Sequence, residues 1–217
     1  MIDVARAVVL ALRWRIAVKD SAFDCLFPEE VRRSPSVHWT PVSVALRAAT
    51  WLAPESGMRV LDIGSGPGKL CCIGALARGG KWHGVERDPV LVAVANATAA
   101  LLEVTHDTTF CVGEMHFINW CDFDSLYFFN PFAAILFGPA PFERSVRWSM
   151  LTDQIAQTEA RLAELPMGTR VVTYHGFGGD MPDGYALTAA ELIKDGQLAL
   201  WTKQRTTRGV SATAARS

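Results

Sequence analysis

The stretch Val60-Leu61-Asp62-Ile63-Gly64-Ser65-Gly66-Pro67-Gly68-Lys69 constrains this chain more than any other. An apolar strand ends at an acid, a glycine-rich turn follows, and a helical pattern begins. Glycine is needed where the backbone takes positive φ or must approach a ligand closely. A helix start behind such a turn presents free N–H groups and the positive end of its dipole. Strand, turn and helix together describe a pocket for a nucleotide-type cofactor at the carboxyl edge of a parallel sheet.

The spacing narrows the cofactor. A dinucleotide turn needs its third glycine three residues after the second, for close helix–strand packing. That position is Lys69, and the glycines fall at 64, 66 and 68. A pyrophosphate also wants no acid beside it, whereas Asp62 suits a cofactor carrying an ammonium and a sulfonium. An NAD(P)-dependent oxidoreductase is therefore the weaker alternative. Trp82-His83-Gly84-Val85-Glu86 reads as the next strand, and Glu86 lies about 20 residues past the turn, where an acid binds both ribose hydroxyls. Alone, Glu86 reads as a surface acid; the pair of motifs carries the argument. The run resembles motif I of the class I S-adenosylmethionine methyltransferases, an apolar strand followed by D-x-G-x-G-x-G, and matches it in full.

The resemblance implies roles. Asp62, Gly64, Ser65, Gly66 and Gly68 would hold the amino-acid end of S-adenosylmethionine, and Glu86 with Arg87 the ribose. Glu114 and Met115, after the third strand, would meet the adenine, or form a solvated turn. His38-Trp39-Thr40-Pro41 is similar to the family's N-terminal motif, which closes over the methionine end, although Trp39 also fits a core position. Thr40 is a good N-cap, and Pro41 a good first residue, for a helix running to Leu52.

Phe128-Phe129-Asn130-Pro131-Phe132 leaves the fourth strand beside the expected methyl group. It resembles the [N/D]-P-P-[Y/F/W] motif of methyltransferases acting on nitrogen, with one proline instead of two. The single-proline form is also similar to lysine methyltransferases of the same fold. Asn130 and the Pro131 carbonyl would accept from a substrate N–H, and Phe132 would stack on a planar group or face a cation. The plain alternative is a strand-to-loop turn. Tyr174-His175-Gly176 opens onto the same edge; His175 is either a general base or structural.

The rest of the chain reads as alternating strands and helices. Strands are expected at Met58–Ile63, Trp82–Glu86, Thr109–Val112, Ser125–Phe129 and Thr169–Tyr174. Helices are expected at Lys69–Arg78, Pro89–Glu103 and Arg144–Leu165. Tyr185–Ile193 and Gln197–Lys203 flank an Asp-Gly signal and read as an antiparallel hairpin. The expected fold is α/β: a doubly wound seven-stranded sheet, mostly parallel with an antiparallel C-terminal hairpin, preceded by N-terminal helices. One domain, 1–204, would divide into a helical cap, 1–53, and a Rossmann-like core, 54–204, with a disordered tail at 205–217. Val4, Val8, Leu12 and Ile16 recur every four residues, so Met1 to Ala22 reads as an amphipathic helix packed on the domain or open to a partner.

A net charge of −1 over 217 residues gives no global pull toward nucleic acid, so a protein or small-molecule acceptor is favoured over a nucleobase. A non-catalytic cofactor-binding module remains the alternative outside enzymes. Five cysteines without a CxxC pair fit a reducing cytosol, and five histidines do not cluster at metal-ligand spacing, so no metal is expected. Arg6, Arg13, Arg15 and Lys19 break the first apolar segment, so neither signal peptide nor membrane span is expected. The sequence leaves the acceptor's identity and the oligomeric state open.

Overall fold

Seven strands make one sheet in the order β3-β2-β1-β4-β5-β7-β6. The structure is a computed structural model that describes residues 2–33, 39–132, 135 and 144–205. The strands are β1 (Arg59–Ile63), β2 (Lys81–Glu86), β3 (Thr108–Val112), β4 (Ser125–Phe129), β5 (Arg170–Tyr174), β6 (Tyr185–Ile193) and β7 (Gly196–Lys203). β1 to β5 pair in parallel; β7 runs antiparallel to both β5 and β6. The helices are α1 (Ile2–Arg13), α2 (Asp20–Asp24), α3 (Glu29–Arg32), α4 (Val42–Leu52), α5 (Lys69–Arg78), α6 (Pro89–Leu101) and α7 (Arg144–Glu164). Among the described residues, no helix is long and apolar enough to cross a membrane.

The central strands are apolar at nearly every position because both faces are covered. Alternation divides them between two cores. Val60, Tyr127 and Val172 face α1, α4 and α5, while Leu61, Ile63, Leu126, Phe128 and Val171 pack with Leu151 and Leu162 of α7. Asp62 shares the face of Val60 and is in register with Tyr127. That places a carboxyl among the apolar groups beneath α4 and α5. Cys71 and Cys72 of α5 are fully buried small core residues, as the sequence suggests. α6 starts as Pro89 requires, with Asp88 capping it by accepting from the Val90 N–H at 2.8 Å.

The N-terminal expectations need three corrections. α1 ends at Arg13, and Arg15 takes φ 57, so the helix does not continue to Ala22. Its buried stripe is Ala5, Val8 and Leu12; Val4 and Ile16 are exposed. Past Phe23 the chain carries α3. Thr40 does not cap α4. The cap comes from Asp20, whose Oδ1 accepts from the Val42 N–H at 2.6 Å, and Thr40 instead hydrogen-bonds the Tyr127 hydroxyl at 3.2 Å. In the hairpin, Ile193 pairs with Gly196, so the turn is Lys194-Asp195, one residue earlier than the Asp-Gly signal placed it. Residues 34–38, including His38, and the tail from 206 lie outside the described residues.

Candidate functional site

The carboxyl ends of β1, β2, β4 and β5 bring the sequence motifs to one edge. Gly64, Gly66 and Gly68 take φ 75, 53 and 78. Positive φ alone favours glycine, and Gly68 has a second reason. A Cβ there would sit 2.6 Å from the Phe110 ring and 2.9 Å from Ala95 Cβ, so the helix can approach the sheet only without one.

The turn's amides are already used. The N–H groups of Gly64 and Ser65 donate to Val85 O at 2.9 and 3.1 Å, that of Gly68 to Ser65 O at 3.0 Å, and that of Gly66 to Glu86 Oε2 at 3.0 Å. Pro67 has no N–H. The amides of the turn itself are thus taken, which argues against a pyrophosphate cradle within it. Glu86 also accepts from the N–H groups of Arg87 and Asp88 at 2.7 and 3.0 Å. Its carboxylate thus clamps the glycine turn to the start of α6, at the end of β2.

Asp62 is the electrostatic anomaly. It is buried, and its hydrogen-bond partner among the described residues is the Cys71 thiol, at 3.7 Å. Burial raises its pKa to about 7; Cys71 opposes the rise weakly and the Glu86 charge adds to it. A carboxyl in this state is short of a cation. Asp62 lines a narrow cleft with Trp39, Thr40, Ser65 and Tyr127. Ser65 Oγ is a second buried polar atom of this turn, with no hydrogen-bond partner among the described residues. Both observations fit a ligand with a compact positive group.

The cleft shares Trp39, Lys69 and Phe129 with a larger cavity of about 350 Å³, reached also by Asn130, Tyr174 and His175. Asn130 takes φ 44, the left-handed region that asparagine tolerates best after glycine. Phe132 does not join it. Its ring is 6 % exposed and belongs to the core against α7, so the aromatic residue beside Asn130 on the cavity side is Phe129.

The adenine-side residues divide in the same way. Glu114 is exposed, with Oε1 3.9 Å from Arg87 Nε, a contact worth little in solvent. Met115 is buried in the core with Val85 and Trp120. Its backbone is held from α7, where Arg161 donates to the carbonyls of Met115, His116 and Ile118 at 2.9, 2.6 and 3.1 Å. His175 takes φ 62 and packs edge-on to Tyr174 at 4.3 Å.

Sequence reasoning missed the far wall. Lys69, read only as a missing glycine, reaches Asp20 Oδ1 at 3.0 Å and Asp24 Oδ1 at 2.7 Å, and its side chain is 5 % exposed. Lys194, from the hairpin turn, reaches Asp20 Oδ2 at 2.5 Å. The i, i+4 spacing of Asp20 and Asp24 is the one local signal, and it reads equally as a solvated helix face.

The pattern of a family described as a methyltransferase domain matches residues 54–195. No curated protein matches the chain. Among solved structures, an RNA methyltransferase from Salinibacter ruber, in complex with S-adenosyl-L-homocysteine, superposes with TM-score 0.55 at 20 % identity, over 76 % of this chain and 94 % of that one. TrmN from Thermus thermophilus gives 0.57 at 17 % identity, over 84 % of this chain but only 53 % of its own length. The putative methyltransferase yhhF from Escherichia coli gives 0.56 at 15 %, over 82 % and 91 %. At these identities the likeness is one of fold.

Proposed function

The chain belongs to the methyltransferase-domain family, and on that premise we propose that it is an S-adenosylmethionine-dependent enzyme transferring a methyl group to nitrogen. The observation that carries the cofactor is Asp62, a buried carboxyl short of a cation at the end of β1, beside a turn whose amides are spent. S-adenosylmethionine supplies a methyl group made electrophilic by its sulfonium. In this reading Asp62 meets the ammonium of its amino-acid end, and Trp39 and Thr40, just ahead of α4, close that end. Glu86 and Arg87 lie where the ribose is expected, and Glu114 where the adenine amino group is. Met115 contributes through its backbone, with its side chain spent on the core.

Nitrogen as the acceptor rests on Asn130 and Pro131. The Asn130 side-chain oxygen and the Pro131 carbonyl would accept from the acceptor's N–H and aim its lone pair into the cleft. The left-handed backbone at Asn130 supports a built position, since non-glycine residues in that region cluster at functional sites. Phe132 anchors this loop in the core and would act on it only indirectly. We take residues 1–53 as a cap over the core, because α2 brings Asp20 and Asp24 to Lys69.

The test has two arms. Calorimetry with S-adenosylhomocysteine tests the cofactor. Incubation with methyl-labelled S-adenosylmethionine and fractionated lysate tests the reaction: label in an N-methylated product supports this reading, and label confined to oxygen or carbon products refutes the choice of nitrogen.

A further inference from the structure

Beyond Trp39, Lys69 and Phe129 lies the cavity of about 350 Å³, and its walls differ in chemistry. One side is aromatic. Phe129 packs on Tyr174 at 5.1 Å and stacks on His175 at 5.9 Å. Asp20 and Asp24 of α2 meet the ammonium groups of Lys69 and Lys194, and a third carboxylate of the lining, Asp195, lies by Tyr174. One negative charge is left over.

The surplus is not shared evenly. Burial pushes Asp20 up, but Lys194, the Val42 N–H and Lys69 together outweigh it and hold its pKa down at about 2. Asp24 is bonded to Lys69, which it shares with Asp20. Burial raises its pKa above the ordinary carboxylate value despite Lys69 and the more weakly felt charge of Lys194. Its side chain is still 23 % exposed. Asp195, exposed on the hairpin turn, accepts from the Tyr174 hydroxyl at 3.0 Å.

The Lys194–Asp20 pair ties the hairpin turn to α2 across 174 residues of sequence, joining two of the elements that line the cavity. A cavity of about 350 Å³ is the size of a small-molecule pocket.

Resting on the nitrogen-methyltransferase reading above, we propose that this cavity is the acceptor subsite and takes a small arylalkylamine as a cation, its ammonium between Asp24 and Asn130 and its ring between Trp39 and the Phe129–His175 pair. Cation and ring then meet the walls that suit them. The ammonium must shed one proton before its nitrogen has a free lone pair, and the Asp24 carboxylate is a base on the same wall to take it.

The test is calorimetry on the full chain saturated with S-adenosylhomocysteine, using two probes of matched body and opposite charge, tyramine and 4-hydroxyphenylacetate. Tyramine should bind at least about tenfold more tightly than the acid, the size of a partly desolvated charge pair. Asp24→Asn should weaken tyramine by about the same factor and leave S-adenosylhomocysteine within about twofold. Asp195→Asn, at an exposed position that cannot unfold the chain, should weaken tyramine by about threefold. Equal or tighter binding of the acid, or tyramine affinity unmoved in both variants, overturns the proposal while the cofactor reading stands. Failure of S-adenosylhomocysteine to bind overturns the cofactor reading, and this one with it.

Discussion

Replacing Asp62 with asparagine separates the two things its carboxyl does. In the free protein well below pH 3.8 the carboxyl is protonated, folded or unfolded, and its ionisation costs nothing. As pH rises, the unfolded chain ionises first, near 3.8, while the folded chain waits until about 7. Stability is therefore lost progressively across that window. At about 1.4 kcal/mol per pH unit the loss reaches about 4 kcal/mol by pH 8. Water entering the open cleft lowers this, so about 2 kcal/mol is the working figure. Asp62→Asn keeps the shape and removes the ionisation. Without ligand at pH 8 it should melt several degrees above the wild type, at about 2–4 °C per kcal/mol for a chain of this size, and the two melting curves should converge well below pH 3.8. Ligand affinity should move the other way. Losing one partner of a desolvated charge pair costs about 2–4 kcal/mol, so S-adenosylmethionine should bind about 30 to 10³ times more weakly. Wild-type affinity should also fall about tenfold per pH unit below 7, with the variant flat. Scanning fluorimetry and calorimetry across pH measure both. A variant less stable than wild type at every pH, or one that binds normally, refutes the reasoning.

Three further outcomes follow from the geometry. Asn130→Ala should leave S-adenosylhomocysteine affinity nearly unchanged and lower turnover by about 10²; Asn130→Gly, unstrained at φ 44, should lose as much, which excludes backbone strain as the cause. Lys69→Met leaves Asp20 and Asp24 without their shared ammonium. It should cost about 3 kcal/mol by denaturant melt and speed amide exchange in α2; unchanged exchange there would contradict the anchoring of α2 by Lys69. Arg161→Met removes three charged hydrogen bonds to the turn after β3, so S-adenosylmethionine affinity should drop by about tenfold while saturated turnover stays constant; a fall in turnover alone would contradict it.

The sheet was legible because its middle strands are covered on both faces. Ser125–Phe129 carries its own boundaries in a run of apolar residues between breakers. The glycine turn was legible because positive φ leaves few residue choices. Its amides were not, since their partners are Val85 and Glu86 on another strand. Capping from a distance was equally hidden: Thr40 has the right chemistry for an N-cap, but Asp20, 22 residues from Val42, takes the role. The first helix was misread because Val4 and Ile16 are as apolar as Val8 and Leu12, and only contact with the core distinguishes them. Phe132 and Met115 carry motif-like side chains, yet strand and turn geometry send both into the core. Asp20, Asp24, Lys69 and Lys194 each look like ordinary surface charges, and become one wall only when α2, α5 and the hairpin turn converge.

Titrating the purified, folded chain with S-adenosylmethionine, S-adenosylhomocysteine and NAD in a calorimeter asks the central question directly. The first two should give saturable heat at one site per chain, and NAD none. Heat from NAD, with silence from both sulfur nucleosides, would contradict the account at its foundation.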